Sequence, residues 1–145
     1  MSNIVVVYKS KYGSTKRYAK WISEHINSDL LEQSEIKSDD LLKYDTIIYG
    51  GGLYAVGING FSIIKKNFQI LKDKKLVVFS VGASPAHAEA LESIKNNNFT
   101  DEMKEKIQLY HLRGAFNYNE LSLFDKLLML IMKAILKSKK EDKLT

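Results

Sequence analysis

Short apolar runs separated by amphipathic segments are the main pattern of this chain. NIVVVY (3–8) and KLVVFSVG (75–82) are apolar on both faces, which is typical of central strands in a parallel sheet. DTIIYGGGL (45–53) is predicted as a strand that runs into glycines. DLLEQ (29–33) has the weaker pattern of an edge strand, and QLYHLRG (108–114) is predicted to be the last strand.

Helices are predicted between these strands. After the first strand, Tyr18, Ile22 and Ile26 share one face at four-residue spacing, and FSIIKKNFQILKD (61–73) is also amphipathic. Ser38 is predicted to cap a short helical turn. Three further helices are predicted to begin near Pro85, after Thr100 and at Leu121. Five strands interleaved with helices indicate a doubly wound α/β sandwich with a parallel sheet.

The composition narrows the class of protein. With 145 residues, 45% of them hydrophobic, the chain suits one globular domain over residues 1–145. The absence of cysteine excludes disulfides and thiolate chemistry. Because the N-terminus resembles a strand rather than a signal peptide and no apolar run could cross a bilayer, we expect a cytoplasmic protein.

The net charge of +5 bears on the partners. Of 22 basic residues only Arg17 and Arg113 are arginines, and base recognition relies on arginine, so we expect no nucleic-acid partner. Lysines suit phosphates, anionic lipid surfaces or acidic partners. Ordinary solvated lysine-rich faces explain the charge equally well.

The loops that follow the strands predict the ligand site. In doubly wound sheets, ligands bind beyond the carboxyl ends of the strands. The first such loop, SKYGST, offers helix N-terminal amides and the hydroxyls of Ser10, Ser14 and Thr15 to an anion. A phosphate there would offset the cost of placing Lys16 and Arg17 at the positive end of the helix dipole. Taken alone, however, the turn is better explained as a hydroxyl N-cap without a ligand.

Other nucleotide-binding and catalytic motifs do not fit. There is no G-x-x-x-x-G-K-[ST] sequence, and GGGLYA (50–55) follows the third strand without the acidic residue that a dinucleotide site requires. A receiver domain would need carboxylates where this chain has Lys9, Ser10 and Gly50. No His, Asp and Glu residues have metal-ligand spacing, and no Ser-His-Asp triad can be assigned.

Three segments, YKSKYGSTKRYAKWI, YDTIIYGGGLYAVGI and LVVFSVG, together resemble the flavodoxin superfamily. The resemblance implies a flavodoxin-like three-layer sandwich with a five-stranded parallel sheet in the order 2-1-3-4-5, helices on both faces and FMN bound non-covalently. It also implies three groups of cofactor-binding residues. These are the phosphate loop (Ser10, Lys11, Tyr12, Gly13, Ser14 and Thr15), the ring-flanking loop (Leu53, Tyr54 and Ala55) and the loop along the other edge of the flavin (Ser80, Val81, Gly82 and Ala83).

Individual residues depart from or refine that pattern. Tyr12 stands where flavodoxins usually carry a second threonine, which removes one hydroxyl contact. Tyr54 is the predicted stacking residue, and its ring would contribute about 1–2 kcal/mol to the free energy of ligand binding. His111 is expected to be hydrogen-bonded within its strand, and His87 to be a solvated helix start. No catalytic residue is assigned.

A narrower resemblance comes from RGAFNYNELSLFDKLLMLIMK, which is similar to a segment of the quinone-dependent protoporphyrinogen IX dehydrogenases, a flavodoxin-like branch. This implies oxidation of a porphyrinogen and electron transfer to a membrane quinone. Asn117 and Tyr118 would then line the substrate side, although simple turn roles fit them equally well.

The charge of the loops predicts how a bound flavin is tuned. Residues 50–60 and 114–119 contain no Asp or Glu, and the loop after the fourth strand reaches none before Glu89. A nearby carboxylate would lower the reduction potential of the flavin. Electron-transfer flavodoxins, as the resemblance implies, carry acidic residues round the flavin, so we expect this protein to be a milder reductant than they are. The alternatives are an electron-transfer flavodoxin without its own substrate and a flavin-free module that binds partners through basic faces.

The predicted final helix, 121–138, is unusually apolar. Residues 121–137 include twelve apolar and five polar positions, more than one sheet-facing stripe needs. Its lysines suit peripheral contact with anionic lipid at the inner face of the membrane. Closure of the sheet together with a homodimer contact explains the helix equally well.

Overall fold

The structure is a computed structural model that describes residues 3–11, 13–55, 57–83 and 88–113, together with the helical residue Met129. The predicted helix 121–138 otherwise lies outside these residues, as do Tyr12, His87, Asn117 and Tyr118. Within the described ranges, no helix is long and apolar enough to cross a membrane.

A twisted layer of parallel strands forms the centre of the fold. The strands are β1 (Ile4–Lys9), β2 (Asp29–Glu32), β3 (Thr46–Tyr54), β4 (Gly57–Ile58), β5 (Lys75–Gly82) and β6 (Ile107–Arg113). The order β2-β1-β3-β5-β6 is parallel throughout, and β4 pairs with the end of β3 in the antiparallel sense. The predicted five-stranded sheet and its order are therefore confirmed, and β4 is an addition.

Within the described ranges up to residue 113, four α-helices and two short 3-10 helices connect the strands. Their bounds are α1 (Ser14–Ile26), α2 (Ser62–Leu71), α3 (Ala88–Asn98) and α4 (Asp101–Lys106), with 3-10 helices at Gln33–Glu35 and Ser38–Lys43. The prediction that Ser38 caps its helix is wrong. Lys37 is the cap residue, and its backbone N–H donates to the Asp40 carboxylate at 2.9 Å, so Ser38 is the first residue inside the helix.

Two apolar layers cover the sheet because successive strand residues point to opposite faces. On one face, Val6 of β1 and Ile48 of β3 pack with Tyr18, Ala19 and Ile22 of α1. On the other face, the buried side chains of α2, α3 and α4 pack against alternate residues of the same strands. The helices thus fix the strands from both sides, and the loops at the carboxyl edge are held on a rigid base.

Candidate functional site

The carboxyl ends of β1, β3 and β5 enclose a cleft of about 230 Å³. Since β1 pairs with β2 on one side and β3 on the other, the strand order reverses beside this cleft, which is where ligands bind in doubly wound sheets. The lining residues are Ser10, Lys11, Ser14, Thr15, Gly52, Leu53, Tyr54, Asn59 and Val81.

The N-terminus of α1 forms one end of the cleft. Its cap residue is Gly13, which has a left-handed backbone (φ 94°) that glycine adopts without strain. The first helical bond runs from the Arg17 N–H to the Gly13 carbonyl at 3.0 Å. The amides of Ser14, Thr15 and Lys16 therefore precede the hydrogen-bonded turns and lack an intrahelical acceptor.

The hydroxyl groups of this turn are placed differently from those of an ordinary N-cap. Ser10 Oγ accepts the Gly13 N–H at 2.9 Å and so shapes the turn ahead of the helix. Within the part of the chain that the structure describes, no side chain caps α1. The interpretation of the turn as a hydroxyl N-cap is thus wrong for Ser14 and Thr15. Both residues line the cleft.

Charge at this end of the cleft is positive. The first turn of α1 contains no acidic residue, and the side chains of Lys16 and Arg17 are exposed. The helix dipole adds partial positive charge at the same place. This end of the cleft is therefore suited to an anion.

The other end of the cleft is formed by the last residues of β3. Tyr54 is 46% exposed, and the Lys11 ammonium lies 5.4 Å from its ring centroid. Leu53 packs partly against the core below, and Ala55 has a left-handed backbone (φ 54°). An aromatic surface and an aliphatic one thus face the cleft at this end.

The end of β5 contributes one lining residue, Val81. Ser80 is fully buried and its hydroxyl pairs with His111 Nδ1 at 2.7 Å, so the expected hydrogen-bonded role of His111 within the strand is confirmed. Gly82 packs closely on Leu53 and His111.

The structure brings most of the predicted site residues to this cleft. Ser10, Lys11, Ser14, Thr15, Leu53, Tyr54 and Val81 line it. Gly13, Ala55, Ser80 and Gly82 are each next to a lining residue in the chain but do not line the cleft themselves. Ala83 is two residues beyond the lining residue Val81, and Tyr12 lies outside the described residues. That these residues contact a cofactor stays a prediction.

Two lining residues, Gly52 and Asn59, were not predicted. The Asn59 carbonyl accepts a hydrogen bond from the Tyr49 hydroxyl at 2.6 Å. Burial of that hydroxyl strongly raises the pKa of Tyr49, and the charge of Glu32 raises it further, so Tyr49 stays a neutral donor. Nothing in the local sequence marks Asn59, since its position depends on a side chain ten residues earlier.

Comparison with known proteins gives consistent matches. The flavodoxin domain family matches residues 5–143. An uncharacterized protein of Methanocaldococcus jannaschii is 29% identical over 119 residues, which span 77% of this chain and 79% of that protein.

Solved structures show the same fold. A short-chain flavodoxin associated with a non-canonical PDU bacterial microcompartment superposes with a TM-score of 0.66 at 16% identity, over 95% of this chain and 99% of that one. Oxidised flavodoxin 2 from Bacillus cereus gives a TM-score of 0.64 at 19% identity, over 90% and 97%. Rubredoxin oxygen:oxidoreductase from Desulfovibrio gigas gives 0.65 at 17% identity, but the chain spans only 37% of that larger protein's length.

The family match extends over nearly the whole chain, and the cleft lies at the edge of the sheet where a doubly wound fold places its ligand. This chain therefore belongs to the flavodoxin domain family, and its cofactor is FMN.

Proposed function

We propose that this protein is an FMN-dependent redox enzyme that oxidises an organic substrate and passes the electrons to a quinone or similar acceptor. The resemblance of the C-terminal segment to the protoporphyrinogen IX dehydrogenases supports this choice of reaction. The charge of the cleft is the structural observation that carries it.

The residues of the cleft suit the two ends of FMN. At the N-terminus of α1, three amides without intrahelical acceptors and the hydroxyls of Ser14 and Thr15 would hold the phosphate. At the other end, Tyr54 would stack on the ring system, with Leu53 beside it. The chain's polar and aromatic groups are thus separated in the way that an amphipathic cofactor requires.

The charge within the cleft favours a mild reductant. Bound FMN supplies reversible two-electron chemistry, and its reduction places negative charge on the ring system. Among the described lining residues, Lys11 carries the single formal charge and there is no carboxylate. Lys11 stabilises negative charge near Tyr54 and so raises the reduction potential.

The first experiment is reconstitution with FMN followed by a redox titration. We expect a stoichiometric yellow complex with a two-electron midpoint potential well above the ferredoxin level of about −400 mV. The complex should then oxidise protoporphyrinogen IX with a water-soluble menaquinone analogue as acceptor. A midpoint near the ferredoxin level would contradict the proposal, as would the absence of turnover with every quinone tried.

A second candidate function is that of an electron-transfer flavodoxin without its own substrate. The exposure of Tyr54 favours it, because transfer between proteins needs only an accessible edge of the cofactor site. The observation against it is the lack of acidic residues among those lining residues that the structure describes. Rapid reduction or oxidation of the complex by a small carrier protein, combined with no porphyrinogen turnover, would establish this second function.

The partner of the predicted helix 121–138 is a separate proposal. We propose peripheral contact with anionic lipid, supported by Lys133, Lys137, Lys139, Lys140 and Lys143 in the sequence. Flotation with vesicles of phosphatidylglycerol is expected to carry the full chain upward at low salt. A dimer in solution that does not float would instead assign the helix to a subunit interface.

A further inference from the structure

The segment that follows β4 is fixed to the sheet by its backbone. The Asn59 N–H donates to the Gly52 carbonyl at 2.8 Å, and the Asn59 carbonyl accepts from the Tyr49 hydroxyl at 2.6 Å. Both backbone groups of one loop residue are therefore bound to β3. The first of these bonds continues the pairing of β3 with β4 by one residue, so Asn59 is held to the sheet although it lies outside β4.

A third contact fixes the preceding residue from another element. The Ile58 N–H donates to Asn98 Oδ1 at 2.9 Å, and Asn98, which is 7% exposed, also donates to the Ile94 carbonyl at 2.8 Å. The C-terminal end of α3 thus supports the segment from the side opposite β3. Two buried side chains, Tyr49 and Asn98, hold it in place.

Close packing also requires a small residue beneath the segment. A Cβ atom at Gly51 would lie 2.5 Å from the Asn59 carbonyl oxygen and 2.9 Å from Ile58 Cγ2. Any larger residue at position 51 would push the segment away from the sheet. The position of Asn59 is thus set by its backbone hydrogen bonds and by the absence of a side chain at Gly51.

The side chain of Asn59 is the part of this residue that the fold leaves uncommitted. Asn59 is a lining residue of the cleft, and within the described residues its amide takes part in no hydrogen bond. The residue is partly exposed, so water can satisfy the amide, and an asparagine amide offers two donors and an acceptor to a ligand that displaces this water. An asparagine with an anchored backbone beside the cleft is therefore suited to a ligand contact.

The neighbours of Asn59 indicate which part of the ligand it meets. Its backbone partner Gly52 lies beside the phosphate-end residue Thr15, since a Cβ there would be 3.6 Å from Thr15 Oγ1. The next residues of β3, Leu53 and Tyr54, belong to the ring end. Asn59 therefore lies between the two ends of the cleft.

We propose that the Asn59 side-chain amide hydrogen-bonds the ribityl hydroxyl groups of bound FMN. The inference rests on the proposed placement of the phosphate at α1 and of the ring at Tyr54. Hydroxyl groups both donate and accept, so a polyol can satisfy both functions of the amide. The phosphate accepts only. The ring edge has an N–H donor and carbonyl acceptors of its own, but the proposed ring position is at the Tyr54 end of the cleft, whereas Asn59 lies between the two ends.

A series of three flavins tests this assignment. FMN has ring, ribityl arm and phosphate, riboflavin lacks the phosphate, and lumiflavin lacks both the phosphate and the arm. For Asn59→Ala we expect dissociation constants for FMN and riboflavin about three- to tenfold higher than for the native protein, from the loss of about one hydrogen bond. The constant for lumiflavin should be unchanged.

Two further variants control for indirect effects. Asn97→Ala removes an exposed amide that bonds only its own helix at the Ser93 carbonyl, and it should leave all three constants unchanged. Tyr49→Phe removes the hydroxyl that anchors the Asn59 carbonyl. Tyr49 itself does not line the cleft, so this variant should weaken the binding of FMN and of riboflavin to the same extent through Asn59 alone.

The outcomes separate this inference from the proposed function. Native protein that binds none of the three flavins overturns the proposed function. Native binding with unchanged constants for Asn59→Ala overturns the Asn59 assignment alone. A loss confined to FMN, or an equal loss for all three flavins, also overturns it, because the contact would then be to the phosphate or to the ring.

Discussion

The two loops that meet at the cleft use their polar groups in opposite ways. In the turn after β1, the amides of Ser14, Thr15 and Lys16 have no intrahelical acceptor, and Ser14 and Thr15 line the cleft. In the segment after β3, the backbone groups of Ile58 and Asn59 are bound to Asn98, Gly52 and Tyr49. The first loop leaves backbone groups open to a ligand, whereas the backbone groups of Ile58 and Asn59 in the second are already bound within the protein.

This difference separates binding from stability. A change of the Ser14 or Thr15 hydroxyl should weaken cofactor binding while leaving the folded chain intact, because neither side chain caps α1. A change at Gly51, beneath Ile58 and Asn59, should first lower the stability of the fold. Cofactor binding should be affected only as a consequence.

The largest effect is expected for Gly51→Ala. The new Cβ would overlap the Asn59 carbonyl oxygen at 2.5 Å, and displacing the anchored segment should lower the free energy of unfolding by about 2–3 kcal/mol. Urea denaturation of the cofactor-free protein measures this. The matched control is Gly57→Ala, where the nearest atom is the Tyr54 carbonyl oxygen at 3.6 Å, an ordinary contact. Equal stabilities of the two variants would contradict the anchoring.

Thr15→Val should show the opposite behaviour. Valine fills the same buried space but cannot donate to a phosphate, so FMN affinity should fall by about 1.5–3 kcal/mol, while unfolding of the cofactor-free protein changes little. Fluorescence titration of FMN measures the first quantity. Thr46→Val, at the opposite end of the sheet, is the control for a buried threonine. Undiminished FMN binding by Thr15→Val would contradict the proposed position of the phosphate at the N-terminus of α1.

Tyr54→Ala should weaken FMN binding by about 1–2 kcal/mol because stacking on the ring is lost. Tyr54→Phe keeps the aromatic face and should bind FMN as the native protein does. Because Tyr54 is about half exposed, neither variant should change stability measurably. Equal weakening in both variants would show that the hydroxyl rather than the ring makes the contact.

The smallest effect is expected for Lys11→Gln. Removing the exposed ammonium beside Tyr54 should lower the FMN midpoint potential by about 30 mV or less, which corresponds to about 1.4 kcal/mol for two electrons. Lys20→Gln, an exposed cation farther along α1, should leave the potential unchanged. A potential that rises in Lys11→Gln would contradict the proposed tuning.

The sheet could be predicted from the sequence because its signal is local. Consecutive apolar residues such as Val5, Val6 and Val7 indicate a strand covered on both faces, and both faces are covered. The glycines at positions 50–52, which lie within β3, also marked the part of the strand beside the cleft. Ser38 was misassigned because a serine before an apolar turn signals a cap, whereas Asp40 reached back to the Lys37 amide instead.

The part of the site that the sequence did not reveal depends on distant contacts. β4 has only two residues, too few for any period to be recognised. Asn59 is placed by the hydroxyl of Tyr49, and its neighbour Ile58 by an amide forty residues further along the chain. No local pattern encodes such pairings, whereas the hydroxyls of the β1 turn stand next to one another in the sequence and were found directly.

The contact between Lys11 and Tyr54 has a consequence for newly synthesised protein that still awaits its cofactor. The ammonium over the ring is held by a cation–π contact, which at an exposed site is worth only about 0.5–1 kcal/mol. Stacking of two aromatic rings is worth about 0.5–1.5 kcal/mol beyond the area that it buries. A flavin that stacks on Tyr54 would therefore gain at least as much as it loses by displacing the ammonium from the ring face.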